Sequence, residues 1–482
     1  MTTTLLILLP VVGALVVWLL PWSRFWAGSL ALLVALAEVG LWVWVLQRFD
    51  FGGGLQHEQR FTWFADLNVT YHVGLYGFSL WLVGLTVVLM AAAIAYAFWV
   101  GRDRARAYFG LMLFLTGAVV AVFSAQDLIV FYAAFEAMLI PLYVLVGVWG
   151  GPGRLGATLK FVIYTIAGSL LMLAAIVVYG LQQGTFNLVD AGTSGSHWLF
   201  LGFVVAFAVK APLFPLHGWL PDAYRQAPPE VAAVLSGLIS KAAVYGLIRI
   251  ALAKFPEPAQ DLLVPILVLA AAGLVYGSLV AFRAPDVRGV VAYSSLGQMS
   301  LITMGIFALN GAGLNGAILH SLAHGLVSAT LFLLAGTIER RTSTGDFALL
   351  GGMARGRPAL ATLLLTTGVI ALAVPGSAVF AGEFLILSGV FDQGWAWAAI
   401  GAGAVVLAAM YMLRLISAVL HERPGSAVPD AALDLRPGEL AVLVPLVACL
   451  LALSAWPASV TDRSFDGGSA EVVPDFVEFP PR

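Results

Sequence analysis

Seven ionisable side chains stand in or beside long apolar runs of this sequence: Glu136, Lys210, His217, Lys241, His320, His324 and Glu383. A charge left alone in hydrocarbon is expensive, so such residues are expected to face a bundle interior, a partner or water, and to mark an ion or proton path. Amines, imidazoles and carboxyls are also the groups that hand protons on. Desolvation narrows the gap between the two protonation states of a lysine, which makes a buried one a carrier.

Lys210 ends the run FVVAFAVK and is followed by Pro212 and Pro215. These remove backbone donors and should break the helix beside the charge. A broken helix next to a buried ion is how many transporters build their sites. Lys241 lies in SGLISKAAV, whose small residues let neighbouring helices approach closely. It stands more than a helical turn from either end of its span, so snorkelling to an interface would need more reach than the side chain has. Glu136 follows an uninterrupted apolar stretch and is either a functional carboxylate or a hydrogen-bonding pin between helices. Pairing with Lys210 would ease both desolvation costs and leave each group responsive to the other's proton.

His320 and His324 are four residues apart and share one face of a helix. The spacing resembles a metal pair, but neither an HExxH glutamate nor a third ligand accompanies it. A proton relay fits better, with a satisfied polar core as the other reading. His217, in PLHGWLPDAY, is an interfacial anchor or a relay group. Glu383 follows Pro375 and Gly376; it is the exit group of a proton path or the cap of a broken half-helix. Asp222, Arg225 and Glu230 read as a solvated turn.

The elements that must position these groups are membrane helices. With 61% hydrophobic and 10% charged residues and a mean hydropathy of +0.96, the chain of 482 residues has too little polar surface for a soluble globule. The fold expected is all-α and polytopic. At about 20 apolar residues per crossing there is room for roughly fourteen spans. The seventh, entered at about Phe203, and the twelfth, over about 358–390, carry helix breakers near their middles and an ionisable group close by. Five spans separate them, the period of two inverted five-helix repeats. The division expected is 1–107 for the first three spans, 108–255 and 256–422 for the two repeats, and 423–482 for the last span and a polar tail. Alternation in FTWFADLNVTYHV, in the loop after the second span, suggests a short hairpin.

Loop charges orient the chain. Of 24 Lys and Arg residues, 16 fall on one side and 6 on the other, the six including Arg249, Lys254 and Arg482. The positive-inside rule then places both termini in the periplasm. MTTTLLILLP lacks a basic leader region and reads as a first span rather than a cleaved signal. A net charge of −2 suggests no nucleic acid partner. The single cysteine, Cys449, excludes an internal disulfide and an iron-sulfur cluster held by this chain alone. With no dinucleotide fingerprint or P-loop either, the chain is expected to move something rather than to oxidise it.

The segments FYAAFEAMLIPLYVLVGVWGGPGRLGATLKFVIYTIAGSLLML, VKAPLFPLHGWLPDAYRQAP, VAYSSLGQMSLITMGI and GLNGAILHSLAHGLVSATLFLLAGTIERRT, with the GEF around Glu383, resemble the M-type antiporter-like subunit of respiratory complex I. The likeness covers spans four to thirteen, and as a set the motifs are specific to the wider family of complex I and Mrp antiporter subunits. The resemblance implies a fourteen-helix proton channel module. In it Glu136 and Lys210 match the coupling pair, Lys241 the central lysine, His217 and His324 family histidines, and Glu383 the outlet carboxylate. Gln298 departs from the pattern, standing where many M-type members have a histidine, so that water or His320 would fill that relay position. His320 resembles the paired histidines of the L type, but Ser328 replaces the lysine found there.

The expectation is therefore a proton-translocating subunit of NADH:quinone oxidoreductase in the bacterial inner membrane. NADH, FMN, iron-sulfur clusters and quinone would be held elsewhere in the complex and no cofactor or metal in this chain. Its partners would be the lipid bilayer, L-type and N-type antiporter-like subunits and a small K-type subunit. The alternative is a Mrp-type cation/proton antiporter subunit, or its counterpart in a membrane hydrogenase or carbon dioxide uptake complex.

Overall fold

The computed structural model describes residues 1–428 and 433–465; Arg482 and most of the expected polar tail lie outside them. The chain opens with helices α1 (Thr2–Leu19) and α2 (Arg24–Arg48). Strands β1 (Gln56–Phe64) and β2 (Val69–Leu75) then form the expected hairpin, antiparallel with Phe61 opposite Tyr71 and Thr62 opposite Thr70. Helices α3 (Gly77–Val100), α4 (Ala105–Ser124), α5 (Leu128–Trp149) and α6 (Arg154–Gln183) follow. After them come α7 (His197–Lys210), the short α8 (Leu220–Gln226) and α9 (Pro229–Leu252). The second half comprises α10 (Leu263–Arg283), α11 (Val287–Ile306), α12 (Gly311–Thr342), α13 (Pro358–Ala371), α14 (Ala378–Asp392), α15 (Trp395–His421) and α16 (Pro437–Ala455).

Among the described residues, eleven helices are long and apolar enough to cross a membrane. The expected seventh and twelfth segments are each in two pieces, and α11 occupies the tenth. The seventh begins earlier than Phe203, because the Ser196 hydroxyl caps α7 by accepting from the Leu199 N–H at 3.4 Å. It stops at Lys210, as the prolines require, and the chain runs irregularly from 211 to 219 before α8. Trp219 folds back over the break, its indole N–H donating to the Val209 carbonyl at 3.0 Å. The other break carries Ala373 at φ +54° and Gly376 at φ +93°, left-handed values that no helix accommodates. Ser377 then restarts the chain by capping α14, accepting from the Phe380 N–H at 3.1 Å.

The core is built on α9 and α12, whose most apolar stretches are entirely buried. They meet at glycines: a Cβ added at Gly237 would lie 3.1 Å from the Gly325 carbonyl oxygen, and one at Gly325 would lie 2.9 Å from that of Gly237. Lipid tails are as apolar as leucine, so close backbone approach of this kind supplies the packing that burial alone does not.

Three polar assignments are corrected by the fold. Glu230 is not solvated: it is fully buried, gripped by Arg102 Nε and Nη2 at 2.7 Å each and by the Tyr108 hydroxyl at 2.5 Å. Paired burial of this kind is what makes a charge tolerable there. Arg249 is fully buried too, donating to Gln126 Oε1 at 3.0 Å, and Lys254 is buried and donates to the Ala191 carbonyl at 2.7 Å. Loop composition hid these contacts because their partners come from distant segments. By contrast Asp222 lies partly exposed against Lys160 at 2.9 Å, and Arg225 against Asp286 at 2.9 Å.

Candidate functional site

Lys241 sits at the centre of α9, fully buried, with wider π turns at Leu235–Ile239 and Leu247–Leu252 on either side. Such turns interrupt the regular ladder and recur at functional sites. Inside the first, the Ser236 carbonyl accepts from both the Ser240 hydroxyl at 2.9 Å and Lys241 Nζ at 2.8 Å. Nζ also meets Ser240 Oγ at 3.2 Å and His324 Nδ1 at 2.8 Å. The Gly237–Gly325 contact is what brings α9 and α12 near enough for that lysine–imidazole bond. One turn away, a knot of hydroxyls joins three helices: Ser236 Oγ lies 2.7 Å from Ser295 Oγ and 2.5 Å from Ser328 Oγ.

From His324 the row continues along α12. The His320 ring lies 6.5 Å away, centroid to centroid, on the same face. His320 Nε2 bonds to Gln298 Oε1 at 2.5 Å, so an amide is the next group in the row. Gln298 in turn adjoins Glu383 and Tyr411. Glu383 is brought here by Gly382, whose added Cβ would fall 2.8 Å from His320 Cβ; only a glycine lets α14 press this closely on α12. Both Glu383 oxygens are buried without a hydrogen-bond partner, as are His324 Nε2 and His320 Nδ1. Lys241, His324, His320, Gln298 and Glu383 therefore form one buried series.

Lys210 is buried at the end of α7, its Nζ 4.6 Å from the Phe135 ring centroid, a cation–π distance. Glu136, one residue on, acts on it electrostatically, but no ion pair within 4.0 Å joins the two. Glu136 is only half-buried, contrary to the expectation of a deep interior carboxylate. Its helix is covered on one side alone, with Ile140 62% and Tyr143 53% exposed on the other. His217 lies in the break, half-buried, its ring against Phe214 at 5.7 Å and Tyr276 at 5.1 Å, and is not joined to the lysine–histidine series. No group of three His, Cys, Asp or Glu side chains among the described residues is arranged to hold a metal.

Four buried acids escaped the sequence reading: Glu38, Asp127, Glu230 and Glu439. Glu230 was taken for surface. Glu38, in α2, is fully buried with both oxygens unpartnered, on a helix packed against α1, α3 and α4. The signal was one acid inside LVALAEVGLW.

Residues 125–409 match the family model described as NADH:quinone oxidoreductase/Mrp antiporter, transmembrane. The chain is 37% identical over 427 residues to the NADH-quinone oxidoreductase subunit M of Rhodobacter capsulatus, covering 85% of this chain and 83% of that one. A chain of respiratory complex I from Thermus thermophilus superimposes with a TM-score of 0.90 at 31% identity, covering 98% of this chain and 99% of the other. A chain of the Mrp complex from a Dietzia species shares the fold, with a TM-score of 0.85 at 21% identity, over 97% of this chain and 52% of that one. Matched across most of its length to subunits M and across the whole buried series to the family model, the chain belongs to the NADH:quinone oxidoreductase/Mrp antiporter transmembrane family, as an antiporter-like membrane subunit of the M type.

Proposed function

We propose that this chain carries protons across the membrane for NADH:quinone oxidoreductase, drawing on quinone reduction performed in other subunits and doing no redox chemistry itself. The observation that carries this reading is the contact of fully buried Lys241 with His324 at 2.8 Å, at the head of a series that ends on Glu383. An amine bonded to an imidazole in a dry core can exchange a proton without moving far. Protons reach Lys241 past the serine knot. They pass to His324, then along α12 to His320 and on to Gln298, and leave at Glu383.

Lys210 and Glu136 supply the drive. With the two apart, the ammonium of Lys210 repels a proton held on Lys241; when they close, that repulsion is cancelled. Moving one charge against the membrane potential requires about 2.3 kcal/mol per 100 mV. A charge pair about 4 Å apart with an effective dielectric near 20 gives about 4 kcal/mol, the same order as that requirement. The half-buried face of α5 that carries Glu136 is where a neighbouring membrane subunit, of the L or N type, would complete its surroundings; a small K-type subunit also belongs to this arm. Residues 108–255 and 256–422 act as two inverted five-helix repeats within fourteen crossings. The arginine-rich ends face the cytoplasm of a bacterial inner membrane and the termini face the periplasm. NADH, FMN, iron-sulfur clusters and quinone belong to the rest of the complex.

The test is Lys241→Ala in the assembled complex. Proton pumping should fall steeply at normal enzyme content; pumping at the wild-type rate would refute the role of Lys241.

A further inference from the structure

One surface feature has no part in proton transfer. A groove of about 880 Å³ runs between α2, α3 and α16, walled by side chains such as Leu36, Ala92, Val442 and Leu446. Arg24 stands at its end. The same arginine also lines an adjoining cavity of about 400 Å³, together with Arg104, Arg106, Trp18 and Trp22. Its guanidinium lies directly over Gly101, at φ +75°, where any Cβ would collide with it.

These arginines are not spoken for. Arg24 and Arg104 have no hydrogen-bond or ion-pair partner among the described residues, and Arg106 reaches only the Leu20 carbonyl at 3.3 Å. Asp103, the acid beside them, is engaged by the Trp149 indole N–H at 2.8 Å. The contrast with Arg102, Arg288 and Arg341 is direct, since each of those is clamped on a carboxylate. Like charges gathered at one mouth repel unless an anion joins them. A basic pocket opening onto a lipid-facing apolar groove is the complement of an amphiphile with a negative head.

We propose that this groove binds an anionic phospholipid, its phosphate among Arg24, Arg104 and Arg106 and its acyl chains laid along α2, α3 and α16. Trp18 and Trp22 stand at the headgroup level, where indoles favour the membrane interface. A helix of a neighbouring protein would fill the apolar part but would leave the guanidinium groups unmatched.

The experiment uses the whole purified complex in phosphatidylcholine nanodiscs doped with a phosphatidylglycerol bearing a photoreactive group on one acyl chain. Crosslinked peptides should map to α2, α3 and α16. Labelling should fall about fivefold for Arg24→Gln and again for Arg104→Gln, the share each basic residue adds near an anionic headgroup. Arg24→Lys should retain most of it. Ala441→Trp, which fills the groove from an exposed position of α16, should also reduce it. Equal labelling by a photoreactive phosphatidylcholine, labelling untouched by these substitutions, or labelled peptides that map away from α2, α3 and α16 would overturn the proposal.

Discussion

Gly325→Ala tests whether helix approach sets the proton path. The added methyl would lie 2.9 Å from the Gly237 carbonyl oxygen and 2.8 Å from Leu85 Cδ2. Leu85 can rotate away, but the carbonyl belongs to the backbone of α9 and cannot. The contact falls about 0.5 Å short of ordinary van der Waals separation, so α9 and α12 must part by roughly that much, at an overpacking cost of about 1–3 kcal/mol. Lengthening the 2.8 Å bond between Lys241 Nζ and His324 Nδ1 by the same amount takes it past the roughly 3.2 Å at which such bonds fade. Losing a bond to a charged group is worth about 1.5–3 kcal/mol, or about a tenfold to hundredfold slower step if that step limits turnover. The assay is acidification of proteoliposomes holding the whole complex, with NADH oxidation followed alongside and assembly checked by native electrophoresis. Gly40→Ala is the control, because its added methyl meets nothing within 4 Å. If Gly325→Ala assembles in normal amount and pumps at the wild-type rate, close packing at the glycines does not govern transfer.

Gln298→Leu removes the partner of His320 and should slow pumping by about tenfold, whereas Gln298→His should restore it; proteoliposome acidification reads both. Glu230→Gln leaves the Arg102 guanidinium without its carboxylate, a loss of about 3–5 kcal/mol for a buried pair, and the amount of assembled complex in membranes should drop accordingly. His72, in the hairpin, is held below its ordinary pKa of 6.5 by burial, partly offset by its bond to Asn187 and by Glu58. Its folded pKa is depressed, so its neutral ring contributes stability that is fully present above pH 6.5 and lost as the pH falls through the folded value. Proteolysis at Arg60 should therefore speed up on acidification, and His72→Gln should flatten that dependence.

The breaks beside Lys210 and Glu383 were legible because proline and glycine act locally, through φ and a missing N–H. The hairpin was legible through its alternation. What could not be read was tertiary. The Lys241–His324 bond depends on two glycines far apart in sequence, and Glu230 looked solvated because PDAYRQAPPE has the composition of a surface turn while its partner Arg102 lies more than a hundred residues earlier. The half-burial of Glu136 follows from which side of α5 the bundle covers, and periodicity in an all-apolar helix does not encode that. Gln298 stood out as a departure from the family pattern, but only the fold joined it to His320.

That glutamine has a consequence for energy conservation. A carboxamide can hold a hydrogen bond at each end but has no acid–base equilibrium of its own near neutrality, so positive charge cannot rest there as it can on an imidazole. On the proton path proposed above, the imidazoles on one side and Glu383 on the other would exchange only when the amide turns over or solvent slips past it. While it stayed bonded to His320 the two stores would be insulated from each other, and a membrane held at high voltage would not short-circuit through the subunit between turnovers.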